Sequence, residues 1–287
     1  MTDGARSGQG PRSRFAPSPT GRLHLGHAYS ALLAERLARN AGGGFVLRIE
    51  DIDGGRSRPE HVAGIVEDLE WLGLRWDEPP LLQSARAPAY AAALERLQAD
   101  GLVFPCACTR ADLAAAGSAP HGDLPAPYPG TCRRSPPAIG VPVAWRLDMA
   151  EAVRRVGVLT WHDDVAGEVV AQPKLFGDMV IARKDLGVAY HVAAVVDDAW
   201  HGIDLVVRGR DLFASTHVHR LLQALLGLPS PRYHHHPLVL GSDGKRLAKR
   251  TPGATLADLR DAGSCPDKLR AELLNGVLPT GFRFAAS

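Results

Sequence analysis

Residues 14–29 read RFAPSPTGRLHLGHAY, and this order of residue types predicts a short strand, a loop and the start of a helix. The first residues have an apolar, extended pattern, and Pro17, Pro19 and Gly21 then interrupt regular structure. A helical pattern begins near Gly26. Because the first amides of a helix have no partner within it and carry the positive end of its dipole, this layout favours an anion at the helix start.

Two histidines stand at this helix start. His24 and His27 lie three residues apart, so both imidazoles can face the same side. Gly26 between them has no side chain, which allows a flat base to approach the backbone. Imidazoles and unpaired amides together favour binding of a triphosphate. An HxxH pair alone, however, is more typical of capping or surface residues, and the spacing leaves both interpretations open.

The composition indicates a globular protein, and its four cysteines, three of them clustered, fit a reducing compartment. Its 287 residues, 45% of them hydrophobic, can bury a full core and divide into two or three subdomains. The net charge of +2 argues against a protein that coats polyanions indiscriminately, but a local basic face can still bind nucleic acid. No apolar run approaches the roughly 20 residues of a membrane span. Residues 1–13 are polar, which predicts a loose tail rather than a signal peptide.

Strands and helices are predicted to alternate after this opening. Hydrophobic periodicity marks a buried strand, two amphipathic helices and a further strand at residues 45–49, 62–72, 90–97 and 101–105. This alternation predicts an α/β fold with a parallel sheet. Acidic residues 50–53 (EDID) follow the first buried strand, at the end of the sheet where such folds bind ligands. A solvated acidic turn would have the same composition.

The string PSPTGRLHLGH, residues 17–27, resembles the HIGH-motif region of class I aminoacyl-tRNA synthetases in the form carried by the glutamyl and glutaminyl enzymes. The resemblance implies a Rossmann-type doubly wound parallel sheet that brings ATP, with Mg²⁺, to an acidic amino acid. The residues implied to bind L-glutamate are Arg14, Phe15, Ala16, Pro17, Ser18, Glu50, Tyr190 and Arg208. Those implied to bind ATP are His24, Gly26, His27 and Lys249, and both histidines and Lys249 are implied to be catalytic.

Two further segments carry the same resemblance. RIEDIDGGRS, residues 48–57, is similar to the family's RIEDTDxxRS, whose Glu (Glu50) contacts the substrate's α-amino group. Residues 176–219, from FGDMV to STHVH, are similar to the segment that places Tyr190 and Arg208 in the amino-acid pocket. A fixed guanidinium suits the side-chain carboxylate of glutamate, because glutamine would lose the charge pair.

Two conspicuous polar groups receive no catalytic role. Asp197 and Asp198 read as an ordinary acidic turn. Residues 234–236 are three consecutive histidines that follow a predicted helix at residues 215–226. Consecutive residues of an extended segment point to alternating faces, which argues against a metal shared by the three rings.

A cysteine cluster begins where the alternation ends. Cys106, Cys108 and Cys132 have the spacing CxC…C, and as thiolates they can bind zinc and fix a Pro-rich loop that has no core of its own. From residue chemistry alone His121 is favoured as the fourth ligand, because phenols are rare zinc ligands. The pattern CxC…Y-x3-C, however, resembles the zinc site of the glutamyl-queuosine tRNA(Asp) synthetases, which implies Tyr128 instead. Three structural thiols without a metal are the alternative.

Residues 246–250 (RLAKR) follow a Gly-rich turn. Such a cationic turn is commonly a solvated loop, but downstream of a HIGH segment it resembles the mobile KMSKS loop. The ammonium of Lys249 can neutralise charge that develops on pyrophosphate. Ala248 replaces the usual Ser, so one hydroxyl contact to phosphate is missing.

The resemblance also implies a division of the chain. The parts are a tail (1–13), the first half of the catalytic domain (14–105), an inserted zinc-binding subdomain similar to the acceptor-arm subdomain (106–185), the second half (186–240), and the KMSKS-like loop with a helical stem (241–287). Strands at residues 143–147, 159–163 and 168–171 are expected to form an antiparallel sheet in the insertion.

A glutamyl-tRNA synthetase would continue into a further domain that reads the anticodon. Its absence and the CxC…Y-x3-C pattern imply activation of glutamate without tRNA, then transfer to the cyclopentenediol of queuosine at position 34 of tRNA(Asp). We expect a cytoplasmic monomer that does not associate with membranes. The alternatives are a truncated glutamyl-tRNA synthetase that charges the 3′ end of tRNA(Glu), a non-catalytic tRNA-binding paralogue, or another nucleotidyltransferase of the HIGH superfamily.

Overall fold

The computed structural model describes residues 10–115, 128–184, 187–247 and 255–286. Three residues singled out above, His121, Ala248 and Lys249, lie outside the described residues. Their predicted roles stay predictions.

Strands and helices follow one another along the described chain. The strands are β1 (Ser13–Phe15), β2 (Phe45–Ile49), β3 (Leu81–Leu82), β4 (Val103–Cys106), β5 (Ala144–Leu147), β6 (Thr160–Asp163), β7 (Gly167–Val170), β8 (Val180–Arg183), β9 (Gly187–Val188), β10 (Leu205–Gly209), β11 (Arg232–His236), β12 (Val239–Leu240) and β13 (Arg283–Phe284). The α-helices are α1 (Leu25–Asn40), α2 (Pro59–Trp71), α3 (Ala87–Ala99), α4 (Arg110–Ala115), α5 (Thr131–Arg134), α6 (Met149–Val156), α7 (Tyr190–Trp200), α8 (Phe213–Leu226), α9 (Leu256–Asp261) and α10 (Pro266–Leu274).

The main sheet has the strand order β3-β2-β1-β10-β11-β6-β7. All neighbours in it run parallel except β6 and β7, so the predicted parallel α/β sheet is confirmed. The chain leaves β1 toward β2 on one side, whereas β10 leads to β11 on the other. The strand order therefore reverses between β1 and β10, and the crevice at the carboxyl ends of these two strands is where such sheets bind ligands.

Helices cover the sheet with the apolar faces that periodicity predicted. On α1, Leu32 and Leu33 are buried, and Tyr29 and Leu37 pack against the same core from partly buried positions. The helical stem predicted for the last part of the chain is present as α9 and α10, and Leu269 of α10 joins the core on which α1 packs. Among the described helices, none combines the length and the apolar composition that a membrane crossing requires.

Three strands, β4, β6 and β7, lie in a different sheet from the one expected. β4 was expected to extend the parallel sheet, but it pairs antiparallel with β5 in a separate sheet of order β4-β5-β8-β9. β6 and β7 were expected in the insertion, but β6 joins the main sheet beside β11, with Asp163 opposite Tyr233. Trp161 of β6 is buried against residues of the main sheet, which accounts for this placement. The proposed division into subdomains stays a prediction.

Candidate active site

A cavity of about 480 Å³ opens at the carboxyl ends of β1 and β10. Its walls include every described residue that the sequence implied for glutamate or ATP: Arg14, Phe15, Ala16, Pro17, Ser18, His24, Gly26, His27, Glu50, Tyr190 and Arg208. The further lining residues, which sequence reasoning did not single out as site residues, include Asp211, His236, Arg246 and Leu247. One crevice therefore holds residues from distant parts of the chain, from Arg14 to Leu247.

His24 and His27 cap α1 and line the cavity at the same time. The Gly26 amide donates to His24 Nδ1 at 3.1 Å, and the His24 amide donates to His27 Nδ1 at 3.2 Å. The two rings stack with their centroids 3.8 Å apart. Because Nδ1 accepts a hydrogen bond in both neutral rings, each carries its proton on Nε2. The capping interpretation is therefore confirmed, and the rings also offer N–H donors; binding of a triphosphate stays a prediction.

Gly26 lies in close contact with its neighbour His24. A Cβ at Gly26 would lie 3.1 Å from Cε1 and 3.2 Å from Nδ1 of the His24 ring. A side chain at this position would be in tight contact with the ring, which would have to shift by a few tenths of an ångström.

A buried ion network lies beneath one wall of the cavity. Asp198 Oδ1 accepts from Arg14 Nε at 3.0 Å and from Arg48 Nη1 at 2.7 Å. Arg48 also donates to Glu50 Oε1 at 3.3 Å. Burial alone would raise the pKa of Asp198, but the Arg14 and Arg48 guanidiniums outweigh it and lower that pKa to about 2. Asp198 is therefore ionised and holds Arg14 against the pocket.

The acidic turn expected at residues 197 and 198 is wrong. Both aspartates belong to α7 and are buried. Asp197 accepts from Gln83 Nε2 at 2.9 Å, from Arg86 Nε at 2.9 Å and from Tyr90 Oη at 2.6 Å. A burial signal was present in the sequence, because Arg48 sits inside the apolar strand FVLRI and a buried cation needs a carboxylate partner.

Glu50 combines a buried carboxylate with an open face on the cavity. Burial raises its pKa, and the charges of Arg48 and Arg14 offset this only in part. A cation that entered the cavity beside Glu50 would favour the ionised carboxylate. The arrangement suits an ammonium group as ligand.

Arg208 is a buried cation whose hydrogen-bond partners are all neutral. It donates to Thr216 Oγ1 at 2.6 Å, to His235 Nε2 at 3.1 Å, to the Leu212 carbonyl at 3.2 Å and to His219 Nδ1 at 3.3 Å. None of the carboxylates that the structure describes forms a salt bridge with it. Because a buried charge is costly without a counter-ion, the position favours an anionic ligand.

The three clustered cysteines form a compact donor set outside this cavity. The Sγ atoms of Cys106, Cys108 and Cys132 lie within 4.8 Å of one another. Tyr128 Oη is 3.5 Å from the Cys106 Sγ and 3.6 Å from the Cys108 Sγ. A tetrahedral zinc with bonds of about 2.3 Å to sulfur separates its ligand atoms by about 3.8 Å, so these spacings fit a metal ion.

Neighbouring groups stabilise negative charge on this donor set. Arg146 Nε donates to Cys106 Sγ at 3.2 Å, and its guanidinium lies 4.0 Å from the Tyr128 ring centroid. The Cys132 amide donates to Tyr128 Oη at 2.8 Å. Tyr128 thus points its oxygen at the cysteines, as expected of a fourth ligand. The rival ligand His121 falls outside the described residues.

Comparison with known proteins agrees with this geometry. The family described as "tRNA synthetases class I (E and Q), catalytic domain" matches residues 12–286. Among curated relatives, the glutamyl-Q tRNA(Asp) synthetase of Rhodobacter capsulatus is 46% identical over 274 residues, which cover 90% of this chain and 98% of that relative. The protein of the same name from Symbiobacterium thermophilum is 46% identical, and the match covers 92% of this chain and 86% of that protein.

A solved structure extends the likeness to the fold. The crystal structure of a glutamate tRNA ligase from Elizabethkingia meningosepticum, in complex with its amino acid, superposes with a TM-score of 0.71 at 29% identity. The match covers 84% of this chain and 52% of that one. The chain therefore belongs to the class I glutamyl and glutaminyl tRNA synthetases and, within them, to the glutamyl-Q tRNA(Asp) synthetases.

Proposed function

We propose that this enzyme activates L-glutamate with ATP in the absence of tRNA and then transfers the glutamyl group to queuosine at position 34 of tRNA(Asp). In the first step a carboxylate oxygen of glutamate attacks the α-phosphorus of ATP, and pyrophosphate leaves. In the second step a hydroxyl of the queuosine cyclopentenediol attacks the acyl carbon, and AMP leaves. The names of the relatives from Rhodobacter capsulatus and Symbiobacterium thermophilum support the choice of acceptor.

The observation that carries the choice of amino acid is the buried Arg208, whose partners are all neutral. A side-chain carboxylate of glutamate would supply its counter-ion, and glutamine would not. We assign Glu50, whose carboxylate faces the cavity, to the α-ammonium group of the substrate. Arg14, held by Asp198, adds a second cation to the same wall.

ATP is assigned to the start of α1. The Nε2–H groups of His24 and His27 are donors for phosphate oxygens, and the first amides of the helix add to them. Lys249 and the Mg²⁺ that accompanies ATP would neutralise charge on the leaving pyrophosphate. No nucleophile from the protein is needed, because the substrate's own carboxylate attacks; the protein aligns the reactants and stabilises the transition state.

We also infer that Cys106, Cys108, Tyr128 and Cys132 hold a structural Zn²⁺. The ion would tie the end of β4 to α5, a region with little core of its own. Action as a monomer in the cytoplasm remains part of the proposal.

The test of the activation step is ATP–pyrophosphate exchange without tRNA, with glutamate, glutamine and aspartate as separate substrates. Exchange that depends on glutamate alone is the expected result. If none of the three amino acids supports exchange, the result would favour a non-catalytic tRNA-binding paralogue. Exchange that needs tRNA(Glu) would favour the glutamyl-tRNA synthetase alternative.

A further inference from the structure

Within the part of the chain that the structure describes, Arg208 is connected to a carboxylate only indirectly. His235 lies between it and Asp163: Arg208 Nε is 3.1 Å from His235 Nε2, and His235 Nδ1 is 2.7 Å from Asp163 Oδ2. The side chains of His235 and Asp163 are each only 1% exposed. We propose that His235, oriented by Asp163, is a positioning residue that fixes the Arg208 guanidinium for the substrate's side-chain carboxylate and so sets the preference for glutamate over glutamine. The proposal rests on the function proposed above, in which Arg208 meets that carboxylate.

The chemistry of the three groups fixes where the protons are. A guanidinium has only N–H donors, so His235 Nε2 must accept. The proton of the neutral ring is then on Nδ1 and is donated to Asp163. Burial and the Arg208 charge lower the pKa of His235 to about 3, which keeps this ring neutral near neutral pH.

Asp163 is itself held rigidly. Its Oδ1 accepts from the Val165 amide at 3.0 Å and from the Ala166 amide at 2.9 Å, and its Oδ2 also accepts from the His235 amide at 3.2 Å. Burial alone would raise the pKa of Asp163, but these amide bonds and the bond to His235 lower it. An ionised carboxylate in a fixed place therefore determines the orientation of the His235 ring.

His219 also accepts a hydrogen bond from the Arg208 guanidinium, at a different nitrogen from the one that His235 contacts. Its Nδ1 accepts from Arg208 Nη1 at 3.3 Å, so its Nε2 carries the proton and donates to His191 Nδ1 at 3.1 Å. Thr216 Oγ1 accepts from Nη2 at 2.6 Å. Neutral acceptors thus hold Arg208 on several edges.

This arrangement explains why an imidazole, and not a carboxylate, contacts Arg208. A carboxylate in direct contact would neutralise the guanidinium and compete with the substrate for it. A neutral ring, oriented by Asp163, still fixes the position of the guanidinium. The negative charge of Asp163 then lies behind the ring and not in contact with Arg208. The cation stays available to the cavity at a lower desolvation cost than an isolated charge would have.

The experiment compares two replacements of His235, each of which keeps one of the two hydrogen bonds of the ring. In His235→Gln the amide oxygen can take the place of Nε2 and still accept from Arg208, whereas in His235→Asn the amide nitrogen can take the place of Nδ1 and bond only Asp163. We expect His235→Asn to raise the KM for glutamate about tenfold or more, because a hydrogen bond to a charged group is lost. The ratio of kcat/KM for glutamate to kcat/KM for glutamine should fall in the same variant. His235→Gln should stay within about threefold of wild type, and the KM for ATP should change in neither.

His217→Asn is the matched control. His217 is also buried in this region, but its ring accepts from Trp161 Nε1 at 3.4 Å and no hydrogen bond joins it to Arg208 among the described residues. We expect an unchanged KM for glutamate. Equal effects of the two His235 variants, or a parallel rise in the KM for ATP, would show a packing role and overturn the proposal.

A measurement on the wild-type protein decides the matter even if the variants do not fold. Nitrogen-15 NMR of labelled histidines should show His235 as the Nδ1–H tautomer at neutral pH. An Nε2–H tautomer or a charged ring at that position would contradict the proposal. Because this measurement needs no activity, it separates a failure of this inference from a failure of the proposed function, which would appear as wild-type protein without glutamate-dependent exchange.

Discussion

Arg14 donates to Asp198 Oδ1 at 3.0 Å although the two residues are 184 positions apart in the chain. Both side chains are nearly inaccessible to solvent. The contact joins β1 to α7, and Arg48 shares the same carboxylate oxygen. A single aspartate therefore fixes one cation of the pocket wall and neutralises another beneath it.

Asp198→Asn should lower the free energy of unfolding by about 3–5 kcal/mol at neutral pH, because it leaves two buried guanidiniums without this counter-ion. The lowered pKa of Asp198 also sets a pH window. The stability due to this ionised group is present above the pKa of an unfolded aspartate, about 3.9, and is lost as the pH falls toward the folded value of about 2. The variant should therefore lose less stability than wild type across that acid window.

Denaturant unfolding of both proteins at several pH values measures this effect. Asp164→Asn is the control, since Asp164 pairs with the half-exposed Arg232 and an exposed pair contributes about 0–1 kcal/mol. Equal stability losses in the two variants would contradict a special role of Asp198.

The sequence could predict the pocket but not this network. Residues 14–27 form a local strand, loop and helix start, so their mutual placement follows from nearby residues. Glu50, Tyr190 and Arg208 were predicted from the resemblance to the synthetase family. Asp198, Asp163 and His235 act through partners far away in the chain, and short acidic or histidine runs have no periodicity that reveals such partners.

The sheet assignments failed for a related reason. The alternating patterns around β4 and β6 correctly predict strands, but alternation does not specify which sheet edge a strand joins. Trp161 decides the position of β6 by packing into the core of the main sheet. That core is formed by strands that are far apart in the sequence, such as β2 and β11.

His24→Asn should separate capping from catalysis. Asn is a good N-cap residue, and its amide oxygen can replace the His24 Nδ1 acceptor, but no donor remains at the place of Nε2. We expect a stability within about 1 kcal/mol of wild type and a fall of about 100-fold in the rate of ATP–pyrophosphate exchange, similar to the loss of one transition-state donor. His24→Ala, which lacks the cap as well, should show both defects. A His24→Asn variant with wild-type activity would assign the ring to capping alone.

Tyr128→Phe and His121→Ala together identify the fourth metal ligand. If Tyr128 completes the site, purified wild-type and His121→Ala proteins should each hold about one zinc per chain, and Tyr128→Phe should release it at a lower chelator concentration. Elemental analysis during chelator titration measures this. The reverse ranking would make His121 the ligand, and no zinc in wild type would support three metal-free thiols.

The KM for glutamate should rise as the pH falls through the raised pKa of Glu50, since a protonated carboxyl cannot pair with the α-ammonium group. Exchange assays over a pH series measure the profile. Glu50→Gln should have a higher KM than wild type above that pKa, should approach wild type below it, and should lack this part of the pH dependence. The substrate's own carboxyl titrates near pH 4.3 with both proteins, so the difference between the two profiles isolates Glu50. Identical profiles would place the ammonium elsewhere.

The central claim is that queuosine of tRNA(Asp) accepts the glutamyl group. Locating the transferred glutamate on the RNA tests this claim most directly. Radiolabelled glutamate and ATP are incubated with queuosine-containing tRNA(Asp), queuosine-free tRNA(Asp) and tRNA(Glu), and each RNA is digested to nucleosides before the label is assigned. Our account predicts label on queuosine of tRNA(Asp) and none on the other two RNAs. Label on the 3′-terminal adenosine, or equal labelling of tRNA(Asp) with and without queuosine, would contradict it.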